Sequence, residues 1–419
     1  MNHKKQILFI EPFPTVMIYK IAKIFRQKGF ETVLIILLES ETSKEFHLDA
    51  FDRVIYFNLK FHKLNLKNLP LIAGSMIKKL KDLTTASFST FKLNPYVIFA
   101  RAAPSWPCAL ARKFFKNYPF IYFPYDIRTE YYKTAEQAKK FGGLPDFEIK
   151  AERYCFENSD GVMHKGYTKE LEFLEGRMLG DNLKLSELQL SFLPYCTKEF
   201  SIPLNKDKLL KKDNKIHIVH IDSMGSVGPI GASYVYDDIM ELIKQEIHVH
   251  VYSRPNSITI EQLKNFFIED SEFTRKYKEI LESKYFHFHL PLEPEEIVHE
   301  ISKYDYGLYP SGPETEISST DLELKFSTGN KISSYLEAGI PFLVEGKAVF
   351  TGQLIKKYGV GFVYTQKTIK QIKQILDKVD YKKIEENIEK ARQDFDMDKN
   401  FPRLLKFVDD VVVRKRARR

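Results

Sequence analysis

Short apolar-rich runs recur along this chain, spaced by helix-length stretches, and this alternation constrains the fold more than any other feature. In the first half the runs are Ile7–Ile10, Thr32–Leu38, Arg53–Phe57, Tyr96–Ala100 and Phe120–Phe123, with Gly161–Met163 as the last. Such runs, spaced by helices, predict parallel strands covered on both faces. Val16–Lys28, closed by Gly29, and Pro145–Asn158 read as two of the covering helices. The pattern restarts at Ile216–Ile221 and continues through Ile247–Tyr252, Phe286–Leu290, Tyr306–Tyr309 and Pro341–Val344, with Gly359–Val363 as an edge strand. Helices are expected around Tyr236–Lys244 and Glu295–Lys303, and the polar, Lys-rich Asn205–Asn214 reads as a linker. The expected fold class is α/β, two Rossmann-like doubly wound domains in series, with a ligand cleft between them at the carboxyl ends of both sheets. The expected domains are 1–204 and 205–395, with 396–419 forming a terminal helix and a basic tail.

A chain of 419 residues exceeds one ordinary core, which agrees with two domains. Cys108, Cys155 and Cys196 are odd in number and widely spaced, so they supply neither a disulfide framework nor a zinc site and fit a reducing compartment. The N-terminus runs straight into the first strand, leaving no signal-peptide apolar region, and no apolar run reaches the roughly 18 residues of a membrane span. A cytoplasmic location is the expectation.

The net charge of +8 is unevenly placed: Arg414–Arg419 carries five cations, and Lys60–Lys81 interleaves lysines with Phe61, Leu64, Leu66, Ile72 and Met76. Basic residues mixed with apolar ones suit an anionic membrane surface, at about 1 kcal/mol per well-placed cation. They equally suit a solvated face and a frayed tail. No nucleic-acid-binding motif accompanies the charge, so nucleic acid is not an expected partner.

The clearest chemical signal lies in Lys325–Val344. Gly329-Asn330-Lys331 opens an amphipathic helix ending at Ala338, Gly339 terminates it, and Pro341 leads into a buried strand. A helix mouth points backbone N–H groups at whatever lies before it, and with Lys331, Ser333 and Ser334 there it suits a phosphate or diphosphate. An ordinary helix cap in an α/β domain gives the same local sequence.

Several segments then fall in a recognisable order. They are the strand and glycine-rich loop Ile216–Gly231, the strand Ile247–Ser253, Leu290-Pro-Leu-Glu-Pro-Glu-Glu-Ile297, Lys303-Tyr-Asp-Tyr-Gly-Leu-Tyr-Pro310, the Lys331–Pro341 helix and Tyr358-Gly-Val-Gly361. Together they resemble the nucleotide-sugar-binding domain of GT-B glycosyltransferases, whose donor-site helix reads K-x-x-e-Y-l-a-a-G-x-P. In the first half, Ala151–Val162 resembles that family's Glu-bearing helix and following strand. Tyr122–Arg128 resembles its acceptor-facing loop, and Phe401–Val412 its C-terminal helix, which crosses back to the first domain. One departure stands out. Many retaining members carry two glutamates eight positions apart, whereas Glu314 and Glu316 meet Leu322 and Leu324 at that spacing. Glu337 aligns with neither glutamate.

The resemblance implies sugar transfer from a nucleoside-diphosphate sugar to a glycan or lipid-linked acceptor at the cytoplasmic membrane face. It implies no metal and no cofactor beyond the donor substrate, because helix ends and a cation take the metal's role. Donor-site candidates are Gly329, Asn330, Lys331 and Ser333 for the diphosphate, with Gly225 and Ser226 in the glycine loop. Tyr252 and Arg254, and Pro310 and Ser311, sit at strand ends suited to the nucleotide. Asp126, past an apolar strand, is the leading candidate base for the acceptor hydroxyl, and Glu11 is the second. Asp126 alternatively caps the next helix or pairs with Arg128.

His217, His220, His248 and His250 alternate along two strands, but no carboxylate or cysteine spacing accompanies them, so strand-face packing is their reading. Trp106 either lines an acceptor site or packs in the core. Two other functions stay open: a GT-B-like sugar-nucleotide epimerase, and a catalytically inactive GT-B-shaped partner subunit.

Overall fold

The computed structural model describes residues 4–12, 15–38, 48–59, 74–78, 93–102, 104–132, 134–174, 183–221, 233–253, 278–311 and 325–418. The chain divides into two compact units. One comprises Met1–Glu130, Thr134–Leu193 and Asn400–Arg419; the other comprises Tyr131–Lys133 and Pro194–Lys399.

The first unit is built on seven strands: β1 (Gln6–Glu11), β2 (Glu31–Leu38), β3 (Arg53–Leu59), β4 (Pro95–Arg101), β5 (Phe120–Phe123), β6 (Gly161–His164) and β7 (Gln189–Ser191). They lie in the order β3-β2-β1-β4-β5-β6-β7, and every ladder between them is parallel. β1 shows why its run is apolar at successive positions. Leu8 and Ile10 enter a core with Trp106, Cys108, Cys155 and Phe156. Phe9 turns to the other face and stacks on Phe99 at 5.4 Å, and Phe99 meets Phe25 of the Val16–Gln27 helix at 5.9 Å. Trp106 is thus a core residue, 6% exposed. β7 has no counterpart in the sequence reading, because its three residues are half-buried or exposed and carry no apolar run.

The Met397–Ala417 helix packs its Asn400–Ala417 part onto this first unit. Phe401 meets Phe25 edge-on at 5.1 Å. Three cations of its basic end are engaged: Arg414 pairs with Glu187 at 2.9 Å, Lys415 with Asp160 at 3.2 Å, and Arg416 lies over the Tyr96 ring. Most of the Lys60–Lys81 stretch lies outside the described residues.

The second unit holds β8 (His217–Ile221), β9 (His248–Tyr252), β10 (Phe286–His289), β11 (Tyr306–Tyr309), β12 (Phe342–Glu345) and β13 (Gly361–Tyr364). Their order, β10-β9-β8-β11-β12-β13, repeats the plan of the first sheet, again with parallel ladders throughout. One face is apolar: Ile218, Val249, Val251 and Leu308 pack with Val235, Ile239 and Leu242. Residues 194–204 group with this unit, and so does the stretch expected as a linker. Lys208 is buried there and donates to the carbonyls of Ser302 and Tyr304, while Leu210–Asp213 forms a short helix. A lysine's amine hidden beneath backbone carbonyls looks solvated in sequence, which explains that misreading.

Tyr335 anchors the Lys331–Ala338 helix to this sheet. Its hydroxyl donates to the Leu308 carbonyl at 2.9 Å and lies 3.3 Å from that of Val219. The ring can come so close only because residue 307 is glycine: a Cβ there would stand 2.7 Å from the Tyr335 ring. Gly307→Ala is therefore expected to lose about 1–3 kcal/mol of stability by overpacking, read as a lower urea midpoint at unchanged slope. The helix ends at Gly339 in the left-handed conformation, φ 69°, as the sequence predicts.

Candidate functional site

In an open doubly wound sheet, ligands collect at the carboxyl ends of the strands where the strand order reverses. In the second unit this point lies between β8 and β11. The loop following β8, with Gly225 and Ser226, and the segment containing Arg254 fall outside the described residues. On the β11 side the chain passes from Tyr309 to Pro310 and Ser311, and the mouth of the Lys331–Ala338 helix lies beside it. Gly329 N–H donates to the Tyr309 hydroxyl at 2.9 Å, and the Lys331 ammonium stands 4.8 Å from the centre of the Tyr309 ring. The residue preceding the helix is Asn330, whose own side chain makes no capping hydrogen bond to the helix. Lys331 and Asn330 are half-buried.

Other candidates take different roles. The Ser333 hydroxyl is buried and donates back to the Asn330 carbonyl at 2.9 Å, so it braces the first helical turn. Tyr252 closes β9, but its hydroxyl is bonded to Glu300 and lies 2.8 Å from the Tyr304 hydroxyl, and its ring stacks on His289. Ser311 is buried, with its hydroxyl directed at the Glu345 carbonyl. Glu337 is buried and accepts the Thr197 N–H at 2.8 Å. Asp305, the acidic residue of the Lys303–Pro310 motif, accepts the His217 N–H at 2.7 Å and so ties the start of β11 to β8.

The first unit reverses its strand order between β1 and β4. Glu11, the last residue of β1, and Arg101, the last of β4, form an ion pair there with side chains 0% and 1% exposed. Burial drives the Glu11 pKa up to about 7 against the opposing pull of Arg101. Next along the sheet, past β5, Asp126 meets the ammonium of Lys165 at 2.7 Å. Among the described residues Asp126 neither caps a helix nor pairs with Arg128, the two sequence alternatives; it pairs with Lys165, whose ammonium also lies 4.1 Å from the centre of the Tyr125 ring. His164, at the end of β6, is held through Nδ1 by Glu170 at 2.6 Å, both side chains being buried.

Of the three acid–base side chains Glu11, Asp126 and His164, only Asp126 is open to solvent, its side chain 37% exposed. Its loop is fixed from beneath by Glu152, which accepts the N–H groups of Arg128 and Thr129. Burial raises the Glu152 pKa to about 7. The sequence reading missed Arg101, Lys165 and Glu170. Arg101 and Lys165 lie at or just past a strand end, which was the signal available for them, whereas Glu170 lies in a short helix six residues beyond β6.

His217, His248 and His250 lie on the face of the second sheet opposite its apolar core, whereas His220 falls on the core face, paired with Val251 and with its Nδ1 3.3 Å from the Leu308 carbonyl. The expectation that no carboxylate accompanies them is overturned, since Asp213 Oδ2 lies 3.1 Å from His217 Nε2. Asp213 and His217 are four residues apart, a spacing visible in the sequence. Burial first, and neighbouring imidazoles after it, lowers the pKa of His248, His250, His287 and His289; burial also lowers that of His217, against the pull of Asp213.

Residues 253–404 match the family model described as the glucosyltransferase 3-like, C-terminal domain. No curated protein sequence matches the chain. Among solved structures, the chain is similar to a glycosyltransferase from Rickettsia africae (14% identity, 98% of this chain and 99% of that one, TM-score 0.62). It is also similar to a sucrose-phosphate synthase from Thermosynechococcus elongatus (11% identity, 98% and 100%, TM-score 0.64). A third is HepE from Anabaena, solved in complex with UDP and glucose (13% identity, 94% and 95%, TM-score 0.59). Identities this low speak for the fold, and the resemblance to GT-B glycosyltransferases read from the sequence is borne out in that fold and in the matched segment. The chain has the GT-B fold of two Rossmann-like domains, and its residues 253–404 are similar to the glucosyltransferase 3-like C-terminal domain.

Proposed function

We propose that the protein transfers a sugar from a nucleoside-diphosphate sugar to a hydroxyl of a glycan or lipid-linked acceptor. The observation that carries this reading is the helix mouth at Gly329-Asn330-Lys331, set with its lysine beside the end of β11 within the family-matched segment. As the sugar–phosphate bond breaks, negative charge grows on the departing diphosphate. The helix dipole and the Lys331 ammonium stabilise that charge, which is the demand a metal ion otherwise meets. Pro310 would border the nucleoside, and Gly225, Ser226 and Arg254 would complete the donor contacts. A uridine diphosphate sugar is the first donor to test, since HepE was solved with UDP and glucose.

Asp126 would take the acceptor's proton, held in place by Lys165. The acceptor's place at the inner membrane face is supported by the basic excess of +8, with Lys60–Lys81 as the contacting stretch. Among the described residues no helix is long and apolar enough to cross a membrane.

Calorimetric titration with UDP-, GDP- and dTDP-sugars tests the donor site. Lys331→Ala is expected to raise the dissociation constant of the preferred donor by about tenfold, the value of one charge-assisted contact, with the circular dichroism spectrum unchanged. Equal affinity in wild type and variant removes Lys331 from the donor site.

A further inference from the structure

Five histidines line one face of the second sheet in register. His217 of β8 pairs with His248 of β9, His250 pairs with His287 of β10, and His289 pairs with Tyr252. The rings stack along and across the strands: His217 on His248 at 4.5 Å and 5°, His250 on His287 at 4.3 Å and 17°. Their nitrogens are chained as well. His217 Nδ1 lies 2.9 Å from His250 Nε2, His250 Nδ1 lies 3.0 Å from His289 Nε2, and His248 Nδ1 lies 2.8 Å from His287 Nε2. At the amino-terminal edge of the sheet both chains converge on one carboxylate. Asp213 Oδ2 is 3.1 Å from His217 Nε2 and 3.8 Å from His248 Nε2, and the three atoms lie within 4.8 Å of one another.

We propose that Asp213, His217 and His248 bind a divalent transition-metal ion of the zinc class. Ligands at about 2.0–2.2 Å in a tetrahedral site stand roughly 3.3–3.6 Å apart, a spacing these side chains reach by small rotations. Two imidazoles and a carboxylate select borderline ions such as Zn²⁺, Co²⁺ or Ni²⁺ over the hard, oxygen-seeking Mg²⁺ and Ca²⁺.

The second observation is the set of partners behind the ligands. Each liganding ring has its Nδ1 held by another histidine, so its Nε2 is aimed at the shared point, as outer-shell partners do in metal centres. Strand-face packing alone requires stacked rings but not two Nε2 atoms converging on a carboxylate. Asp213, with its side chain 43% exposed, leaves an entry path and a position for water as the fourth ligand. His217 and His248 open their strands, whereas Tyr309 and the Lys331 helix mouth stand at the carboxyl end of the same sheet. The ion would therefore clamp β8, β9 and the Leu210–Asp213 turn together, and it would not enter the sugar-transfer chemistry.

The test uses the full chain, stripped with a chelator and titrated with Zn²⁺ and separately with Co²⁺. The expected result is one saturable site, a rise in Tm with Zn²⁺ but not with Mg²⁺, and visible absorption from bound Co²⁺. Asp213→Ala and His248→Gln should each weaken Zn²⁺ binding by more than the roughly 10–100-fold that loss of an outer-shell partner costs, and abolish the rise in Tm. Asp213 lies at the surface, so its variant keeps the test decisive if the histidine change impairs folding. Absence of saturable Zn²⁺ binding in the wild type, or undiminished binding in the Asp213 variant, overturns the proposal.

Discussion

Asp126→Asn is expected to lower turnover about 10²–10⁴-fold, the usual contribution of a general base, while donor affinity stays close to that of the wild type. Three observations favour this aspartate. It follows β5 at the carboxyl end of the first sheet, it is the open member of the three acid–base groups there, and two fixed partners determine where it points. Lys165 holds the carboxylate itself, and Glu152 holds the loop on which it sits. Lys165→Met should therefore cost less than the aspartate change and act on the same kinetic step, because it displaces the base without removing it. Single-turnover kinetics with saturating donor distinguish the two effects. Wild-type turnover in Asp126→Asn would move the base to another group.

Arg101→Met should lower the unfolding free energy by about 3–5 kcal/mol, because it leaves the Glu11 carboxyl buried without its cation. The double variant Glu11→Leu/Arg101→Met should recover most of that loss, since two apolar side chains replace two desolvated charges. The effect of pH follows from Glu11. Its pKa is about 7 in the folded chain against 4.5 as its ordinary value, so the folded state holds the extra proton between those limits. Its contribution to stability is therefore greatest below pH 4.5 and is lost as pH rises through 7. The Arg101→Met penalty should shrink correspondingly as pH falls from 8 toward 5. Urea unfolding at several pH values reads both effects, and a penalty independent of pH would contradict the coupling of these two side chains.

The fold was legible where burial on both faces writes itself as unbroken apolar runs. β1, β2, β4, β5 and β12 announce themselves that way, and β8 and β9 as apolar-rich stretches interleaved with histidines; the two sheets follow from them. Local chemistry was legible where backbone geometry demands one residue type, as at Gly339, or where a short motif marks a helix mouth, as at Asn330-Lys331. What stayed hidden depends on partners far away in sequence. Nothing local to Lys165 names Asp126, thirty-nine positions earlier, as its partner. Nor does Lys208, in a polar stretch, disclose the carbonyls of Ser302 and Tyr304 that hold it inside. The histidine face is an intermediate case: the alternation along β8 and β9 is visible, but the convergence of His217 and His248 on Asp213 needs the strand register.

Incubating the purified chain with UDP-, GDP- and dTDP-sugars and measuring nucleotide release tests sugar transfer most directly, with wild type, Lys331→Ala and Asp126→Asn run in parallel. The account predicts release from one donor class by the wild type, a lower rate at limiting donor for the lysine variant, and near loss of release for the aspartate variant. Absence of release from every donor, together with absence of calorimetric donor binding, would contradict it.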